Sequence, residues 1–575
     1  MNHQYQCFLF AETNAAQVFT REDLTKQQRM IGEVTSEFMR REVLPRADEI
    51  YGKKWQVTRD LLRQAGDLDL LRIDIPEKFG GLGLDKVSSA YVGEQISLMP
   101  SFGASLGAHT AIGTFPILFF GTDAQREKYL PKIASGEWVS AYCLTEPDSG
   151  SDALAVKTKA ILSEDGKHYI LNGRKMWITN GGIADIFTIF AKVDGEKFTA
   201  FIVEKGFGIE SGHEEKKLGL DGSSTTALVL NDVKVPVENV LGEIGKGHLV
   251  AFNILNLGRL KLGTRNLGAA KIALNTAIEY ARNRHQFGQP IASFGMIQKK
   301  IAEMVMKIFV GDAMVWRTLG MVDNSLNEVE SEDSMELLKV IEQYAVECSI
   351  IKVWTSEAQG FVVDEALQIH GGYGYSAEYP IERAYRDARI TRIYEGTNEI
   401  NRTIIAARLL KYINKSGINL PEIAAKYLEQ EALEVETGTE YLKNVSDRVK
   451  KLTVILLSLV EAKLGDKIRA EQQAAAALSE IVMESFAIES ASLRIEKNKS
   501  ANNPESDNAK NVAELYVSHA LVNIRENLDS LSVYLQLETN LQAKLKSLVE
   551  VGLIDRIQLS TEIAQHIISA GKYLW

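Results

Sequence analysis

The segment 392–400 places a carboxylate, Glu395, in a tight turn between the ring of Tyr394 and the start of a new helix. Gly396 permits a sharp turn, and Thr397 is a residue type that caps helix N-termini. A carboxylate held beside an aromatic ring and away from water has its ionised form destabilised. We therefore expect the pKa of Glu395 to rise towards the range of a general base. The alternative is an ordinary solvated turn residue.

Two further segments have residue types that suit a flat ligand. Segment 141–152 begins like a strand and then breaks into small, turn-forming residues, whose free backbone amides can approach an anion or a planar ring. In segment 175–182 the strand period of two places Trp177 and Thr179 on one face. An indole plane beside a hydroxyl suits a heteroaromatic ring, with a core aromatic as the alternative for Trp177.

Segments 284–288 and 368–374 combine charge with glycine. Arg284 offers a guanidinium, and Gly371 and Gly372 allow the backbone to approach a ligand closely. These are the contacts that a pyrophosphate needs. A surface ion pair for Arg284 and plain turns for the glycines are the alternatives.

In this order, and across roughly the first 410 residues, these segments resemble the acyl-CoA dehydrogenase family of flavoenzymes. The motifs at 141–152 and 392–400 are highly specific as a pair. Segments 254–259 and 294–298, together with a helical C-terminal extension, are similar to the very-long-chain branch. The resemblance implies an FAD enzyme of fatty acid β-oxidation that converts acyl-CoA to trans-2-enoyl-CoA and passes electrons to an electron-transfer flavoprotein.

The resemblance also implies a role for each site residue. Glu395 would take the α-proton while hydride leaves Cβ for flavin N5. FAD contacts are implied for Tyr142, Leu144, Thr145, Ser151, Trp177, Thr179, Arg284, Phe287, Gln368, Gly371, Gly372, Thr397 and Glu399. Acyl-CoA contacts are implied for Ser151, Asn256, Arg259, Gly396, Gly103 and Gly107. Four residues would reach the FAD of a neighbouring subunit, which implies a homodimer at least: Arg284, Phe287, Gln368 and Gly372.

Small residues recur along segment 101–108, where a helix would gather them on one smooth face. By the resemblance, small residues at this place imply a deep acyl tunnel and long straight-chain substrates. Close helix packing is the alternative, because small residues serve it equally well. His109, just beyond, is expected to be a hydrogen-bonded helix-end histidine and not a catalytic one.

Composition limits the classes of partner. The chain has 575 residues, 45% of them hydrophobic, and a net charge of -11, which argues against nucleic acid because phosphate binding needs a basic face. Three scattered cysteines, Cys7, Cys143 and Cys348, are too few for a disulfide framework or a metal site. A reducing compartment is expected.

The first twelve residues lack a basic region and an apolar run long enough for a signal or membrane span. No segment elsewhere has 18 uninterrupted apolar residues. We therefore expect a soluble or peripheral protein, in the bacterial cytoplasm rather than the mitochondrial matrix because no transit segment is visible.

Hydrophobic periodicity divides the chain into four parts, an α+β multidomain arrangement. Residues 1–139 predict a helical domain and 140–248 a β-barrel-like domain. Residues 249–411 predict a four-helix bundle, interrupted by an acidic loop at 323–336, and 412–575 a helical extension. This α, β, α order is the arrangement of the family that the chain resembles.

Membrane association through the extension is doubtful. Its first part carries acidic residues with no intervening Lys or Arg, which an anionic bilayer would repel: Glu429, Glu431, Glu434, Glu436 and Glu440. We expect the extension to support the dimer or the catalytic domain instead. Two rival functions remain, an acyl-CoA oxidase on the same fold and an assembly protein with secondary activity.

Overall fold

The N-terminal part is helical in the computed structural model, which describes residues 7–329, 334–430, 439–552 and 554–575. A capping box begins the first helix, where the side chains of Thr25 and Gln28 bond each other's backbone N–H. The α-helices of this part are α1 (Lys26–Phe38), α2 (Ala47–Tyr51), α3 (Trp55–Asp67), α4 (Lys86–Gln95), α5 (Pro100–Ala108), α6 (Phe115–Phe120) and α7 (Asp123–Ala134). The predicted helical domain is confirmed.

A single eight-stranded sheet forms the middle part, as the alternating β-branched and aromatic residues predict. Its strands are β1 (Ser140–Cys143), β2 (Lys159–Leu162), β3 (His168–Thr179), β4 (Ile186–Val193), β5 (Lys197–Glu204), β6 (Glu210–Glu214), β7 (Thr225–Pro236) and β8 (Val240–Leu241). The spatial order is β6-β7-β3-β2-β4-β5-β8, and β1 pairs with β4 in parallel.

Four long helices make the predicted bundle, with a two-stranded hairpin between the first two. The helices are α8 (Gly247–Asn283), α9 (Gly295–Asn327), α10 (Ser334–Gln343), α11 (Ala345–His370), α12 (Pro380–Ala388) and α13 (Asn398–Lys415), and the hairpin strands are β9 (His285–Gln286) and β10 (Gln289–Pro290). The long ones are α8, α9, α11 and α13. Short α10 and α12 lie between them in sequence.

The predicted acidic loop at 323–336 is wrong at both ends. Helix α9 continues to Asn327, and α10 already begins at Ser334. The carboxylate of Asp323 accepts hydrogen bonds from the N–H groups of Lys86 (2.8 Å) and Val87 (2.9 Å) at the start of α4. Asp323 thus satisfies a helix N-terminus, a role that composition alone cannot distinguish from a place in a solvated loop.

The extension is helical and packs against the bundle. Its helices are α14 (Leu420–Glu429), α15 (Thr439–Leu464), α16 (Gln472–Ser500), α17 (Ser506–Leu535), α18 (Thr539–Ser547) and α19 (Arg556–Ala570). Arg317 of α9 pairs with Glu489 of α16 at 2.8 Å, and the ring centroids of Phe309 and Trp575 lie 5.7 Å apart. Three of the acidic residues named above, Glu431, Glu434 and Glu436, lie outside the described residues.

One stretch of the described chain, Pro100–Phe120, is long and apolar enough to cross a membrane by length and composition. Its most apolar window is 83% buried in the protein, as a core helix would be. His109 lies in this stretch, where its Nε2 is 3.1 Å from the Ile133 carbonyl and its Nδ1 accepts from the Ser140 N–H. Burial lowers the pKa of His109 to about 4, so it is the neutral, hydrogen-bonded histidine that the sequence predicts.

Candidate active site

The turn that carries Glu395 adopts two consecutive left-handed residues, with φ of +59° at Glu395 and +81° at Gly396. Only glycine adopts this conformation without cost, so the strain at Glu395 has to be compensated by its surroundings. The side-chain amide of Asn401 donates to the carbonyls of Gly396 (2.8 Å) and Thr397 (3.0 Å). Thr397 caps α13 through the N–H of Ile400, as predicted.

The carboxylate of Glu395 packs onto the backbone of α8. A Cβ built on Gly258 would lie 2.9 Å from Oε2 of Glu395. That oxygen is shielded from solvent, and no hydrogen-bond partner for it exists among the described residues. Burial raises the pKa of Glu395, and the nearby cations Arg259, Arg265 and Lys352 oppose the rise. Glu395 is therefore not an ordinary solvated turn residue.

Asn256 and Arg259 are buried on α8, with exposures of 4% and 6%. The guanidinium of Arg259 donates to the carbonyl of Glu395 at 3.1 Å and to the Asn256 side chain at 3.1 Å. This pair therefore holds the backbone of the Glu395 turn. The substrate contact predicted for both residues stays a prediction.

The 141–152 loop is organised from beneath by a buried ion pair. Lys175 of β3 contacts Glu146 at 2.7 Å, with side-chain exposures of 0% and 5%. Glu146 also accepts from the N–H groups of Lys157 (2.5 Å) and Thr158 (3.1 Å). The sequence reasoning missed this pair, although a lysine inside a predicted strand and a glutamate in a Thr-Glu-Pro turn were available signals.

Strand β1 brings Tyr142 to the Glu395 side of α8. The hydroxyl of Tyr142 lies 3.4 Å from the Ala251 carbonyl, and burial together with the charge of Glu395 raises its pKa. Tyr142 and Leu144 are each 9% exposed. Thr145 is tied to β3 by its carbonyl, which accepts from the Met176 N–H at 2.9 Å, whereas Ser151 lies exposed in the loop.

Trp177 and Thr179 lie on one face of β3, as the strand period predicts, and that face is the outer one. Trp177 is 52% exposed, so the alternative of a core aromatic is wrong, and Ile178 between them is 2% exposed. A register shift between Lys175 and Ile178 and a φ of +60° at Trp177 turn the indole outward. Next to them, Asn180 is fully buried and donates to the Ser105 carbonyl at 2.9 Å.

A second group of predicted residues lies apart, around a cavity of about 690 Å³. Arg284, Gly371 and Gly372 line this cavity, and neither Glu395 nor Trp177 does. The guanidinium of Arg284 lies 5.5 Å from the ring of Tyr373. A Cβ on Gly371 or Gly372 would meet nothing within 4 Å, so the backbone is open to a ligand there.

Phe287 and Gln368 are exposed near this cavity. Phe287 is 93% exposed at the tip of the β9–β10 hairpin, where it and Gly288 both have positive φ. Gln368 lies on an exposed position of α11, just before the glycines. Glu399, in the first turn of α13, is exposed as well. The ring of Phe287 contacts that of Phe294 edge-on, with 6.0 Å between the ring centroids.

The predicted small-residue face of α5 exists, and another side chain occupies the room that it leaves. A Cβ on Gly103 would lie 2.9 Å from the Ile96 carbonyl, and one on Gly107 would collide with the guanidinium of Arg265. Arg265 also donates to the Gly103 carbonyl at 3.3 Å. This geometry corresponds to the close-packing alternative; the acyl contacts of Gly103 and Gly107 stay predictions.

Lys352 is a further site residue that the sequence reasoning missed. Its ammonium donates to Asn398 at 2.7 Å, and burial lowers its pKa to about 7, although the charge of Glu395 opposes the shift. A lysine among the apolar residues of α11 gave no motif to recognise. The charge of Lys352 acts on Glu395 only because α11 and α13 pack together.

Family comparisons account for most of the chain. Three models of the acyl-CoA dehydrogenase family match in order: the N-terminal domain at 25–137, the middle domain at 141–233 and the C-terminal domain at 245–410. A further acyl-CoA dehydrogenase C-terminal domain model matches 448–546, within the extension. Helical, β and helical layers around a shielded carboxylate thus define an oxidoreductase of the flavin-dependent dehydrogenase class, and the chain belongs to the acyl-CoA dehydrogenase family.

Individual relatives agree with this assignment. The chain is 44% identical to a probable acyl-CoA dehydrogenase of Bacillus subtilis, with 98% of each chain covered. It is 44% identical to the human very long-chain specific acyl-CoA dehydrogenase over 59% of this chain and 51% of that protein. A Bacillus anthracis acyl-CoA dehydrogenase crystallised with FAD superposes with a TM-score of 0.97, at 41% identity and with 99% of each chain covered. The extension is thus shared with bacterial relatives.

Proposed function

We propose that this protein dehydrogenates acyl-CoA to trans-2-enoyl-CoA, with Glu395 as the general base and FAD as the cofactor. The observation that carries the proposal is the Oε2 atom of Glu395, which is shielded from solvent over Gly258 and has no partner among the described residues. A carboxylate kept unpaired costs free energy. Such a cost is expected where the group has to receive a proton.

Hydrogen bonds to the thioester oxygen are required, because the α-proton is too weakly acidic unless the developing enolate is stabilised. Among the described residues, the N–H of Glu395 has no acceptor, although the neighbouring N–H groups of Ile393 and Tyr394 do. This free donor lies in the same residue as the base. Arg259 and Asn401 hold the turn from its carbonyl side, so donor and carboxylate are positioned together.

The surfaces that would hold FAD fit a flavin nucleotide. Trp177 offers a half-exposed indole on β3, and the loop after β1 offers backbone groups fixed by the Lys175–Glu146 pair. FAD, when bound, supplies the acceptor for the hydride that leaves Cβ. The chain's own residues remove the α-proton, orient the thioester and keep water away, so that the Cα–Cβ double bond forms as both hydrogens depart.

The second cluster supports a homodimer. Arg284, Gly371 and Gly372 line a cavity away from Glu395, and the exposed Phe287 lies near them. A distant half-site of this kind is expected if each subunit completes the cofactor site of its partner. An electron-transfer flavoprotein is the proposed acceptor and the bacterial cytoplasm the proposed location, both supported by relationship to the family alone.

Anaerobic titration of the purified protein with octanoyl-CoA tests the reaction. Bleaching of the flavin absorbance is expected in the wild type and at least about 100-fold slower bleaching in Glu395→Gln. Glu196→Gln, an exposed carboxylate in the turn between β4 and β5, is the matched control and should bleach normally. Protein that binds FAD but is bleached by no acyl-CoA would overturn the proposal. Rapid reoxidation of the reduced protein in air would instead identify an oxidase.

A further inference from the structure

One face of α8 leads away from the base towards two cations. Gly258 lies beneath the Glu395 carboxylate, and residues three and seven positions further along a helix share the same face. Those positions are Lys261 and Arg265. Seven residues correspond to about 10 Å along the axis. The charge of Arg265 acts on both Glu395 and Tyr394, so Arg265 and the base share one environment.

The other direction along α8 leads to the proposed cofactor side. Tyr142, in the loop strand expected to contact FAD, bonds the carbonyl of Ala251, seven residues before Gly258. With FAD held by the loop after β1, as proposed above, a thioester with its α-carbon at Glu395 would have the cofactor on the Ala251 side. We expect its acyl chain to extend in the opposite direction, along the face that carries Lys261 and Arg265.

The end of this face is narrow and positively charged. A cavity of about 20 Å³, room for roughly one water molecule, is lined there by Lys261, Arg265, Asp74 and Gly107, with Ser89, Thr110 and apolar residues around them. Asp74 pairs with Lys261 at 2.6 Å and with Lys86 at 2.7 Å. One carboxylate thus serves two lysines.

Arg265 has no carboxylate within ion-pair distance in the described chain. Its guanidinium bonds the carbonyl of Gly103 at 3.3 Å and packs against Gly107. An arginine can bond several acceptors at once, and a partly buried one favours an anion. An alkyl chain that runs past Arg265 would displace water from its guanidinium and offer no hydrogen-bond acceptor in return.

Resting on the proposed dehydrogenation at Glu395, we propose that Arg265 determines specificity at the inner end of the acyl site: it selects acyl chains that end there in a carboxylate over alkyl chains that run past it. The substrates favoured are medium-length ω-carboxyacyl-CoA thioesters. Lys261, already paired with Asp74, adds positive potential and acts as a second, weaker contact.

Binding to the Glu395→Gln variant, which cannot turn over, tests this without catalysis. Suberoyl-CoA and octanoyl-CoA contain the same number of carbons and differ at the chain end by a carboxylate. When Arg265 is unchanged, the Glu395→Gln protein should bind suberoyl-CoA at least about tenfold more tightly than octanoyl-CoA. Arg265→Met should remove or invert this ratio, and Arg265→Lys should keep part of it. Arg282→Met, an exposed arginine on the same helix, should leave it unchanged.

Steady-state kcat/KM for suberoyl-, octanoyl- and palmitoyl-CoA completes the test with Glu395 intact. Arg265→Met should have a higher kcat/KM for octanoyl- and palmitoyl-CoA and a lower kcat/KM for suberoyl-CoA. A wild type that prefers palmitoyl-CoA, with no change in Arg265→Met, would overturn the role of Arg265 and leave the dehydrogenation intact. If Arg265→Met fails to fold, Arg265→Lys decides. A preference for suberoyl-CoA over octanoyl-CoA that equals one both with Arg265 and in Arg265→Lys contradicts the proposal. Absence of bleaching with all three thioesters refutes the dehydrogenation itself.

Discussion

The carboxylate of Glu395 lies against the backbone of Gly258, close enough that a methyl group on Gly258 would be 2.9 Å from Oε2. Real Cβ atoms do not approach an oxygen so closely without a shift of one partner. Gly258→Ala is therefore expected to displace the base and to lower kcat by about tenfold or more, because misplacement by an ångström costs about that much or more. Stopped-flow flavin reduction measures it. Gly295→Ala, where a Cβ meets nothing within 4 Å, should have no effect.

The acid limb of the pH profile should reflect the raised pKa of Glu395. The base acts only when ionised, so kcat/KM should increase with pH through a value above the ordinary 4.5 of a glutamate. Lys352 is cationic below about pH 7 and stabilises the carboxylate there. Lys352→Met should consequently move the acid limb to higher pH. A limb that stays in place, as expected for the exposed control Lys426→Met, would mean that Lys352 does not act on Glu395.

The exposed indole of Trp177 should matter for cofactor retention. Loss of a stacked aromatic surface in Trp177→Ala is expected to weaken FAD binding by about tenfold, measured as the cofactor released on dilution. Trp177→Phe should restore most of the affinity. Trp138 lies in the loop between α7 and β1 and packs on Tyr129. Trp138→Ala therefore controls for the general loss of an aromatic side chain. Equal FAD affinity in Trp177→Ala and the wild type would contradict the contact.

The N-cap of α13 should contribute to stability. Thr397 accepts from the Ile400 N–H, so Thr397→Ala is expected to cost about 1 kcal/mol. Thr397→Ser keeps the hydroxyl oxygen and should recover most of this loss. Urea denaturation measures both changes in the free energy of unfolding. Equal losses in the two variants would show that the cap hydrogen bond is not the cause.

An ion pair between a buried arginine and a partly exposed glutamate should hold the extension to the first part of the chain. Arg494 is 1% exposed and contacts Glu22 at 2.7 Å. Arg494→Met removes the charged partner of Glu22, whose side chain is 25% exposed, and is expected to destabilise the protein by about 2 kcal/mol, seen in urea denaturation and as faster proteolysis within the extension. Arg41→Met breaks an exposed pair and should cost less than about 1 kcal/mol. Equal effects in both variants would exclude a special role for Arg494.

Part of the structure could be predicted from local signals. Period-two segments became β3, β4, β5 and β7, and Thr397 became the cap of α13, because both depend on residues that are close in sequence. The prediction of a solvated loop from Asp323 is wrong, since the carboxylate of Asp323 binds the N-terminus of α4, more than 200 residues earlier in the chain. Local composition carries no information about such a partner.

The same distinction applies to the site. Residue types and spacing by themselves predicted a carboxylate, Glu395, in a tight turn before a capped helix, and Trp177 on one strand face with Thr179, because each follows from a few neighbouring residues. Tertiary structure alone decided that Arg265 fills the space beside Gly107 and that Lys352 lies near Glu395. These contacts join helices α5, α8, α11 and α13, and their relative packing depends on interactions distributed over the whole protein.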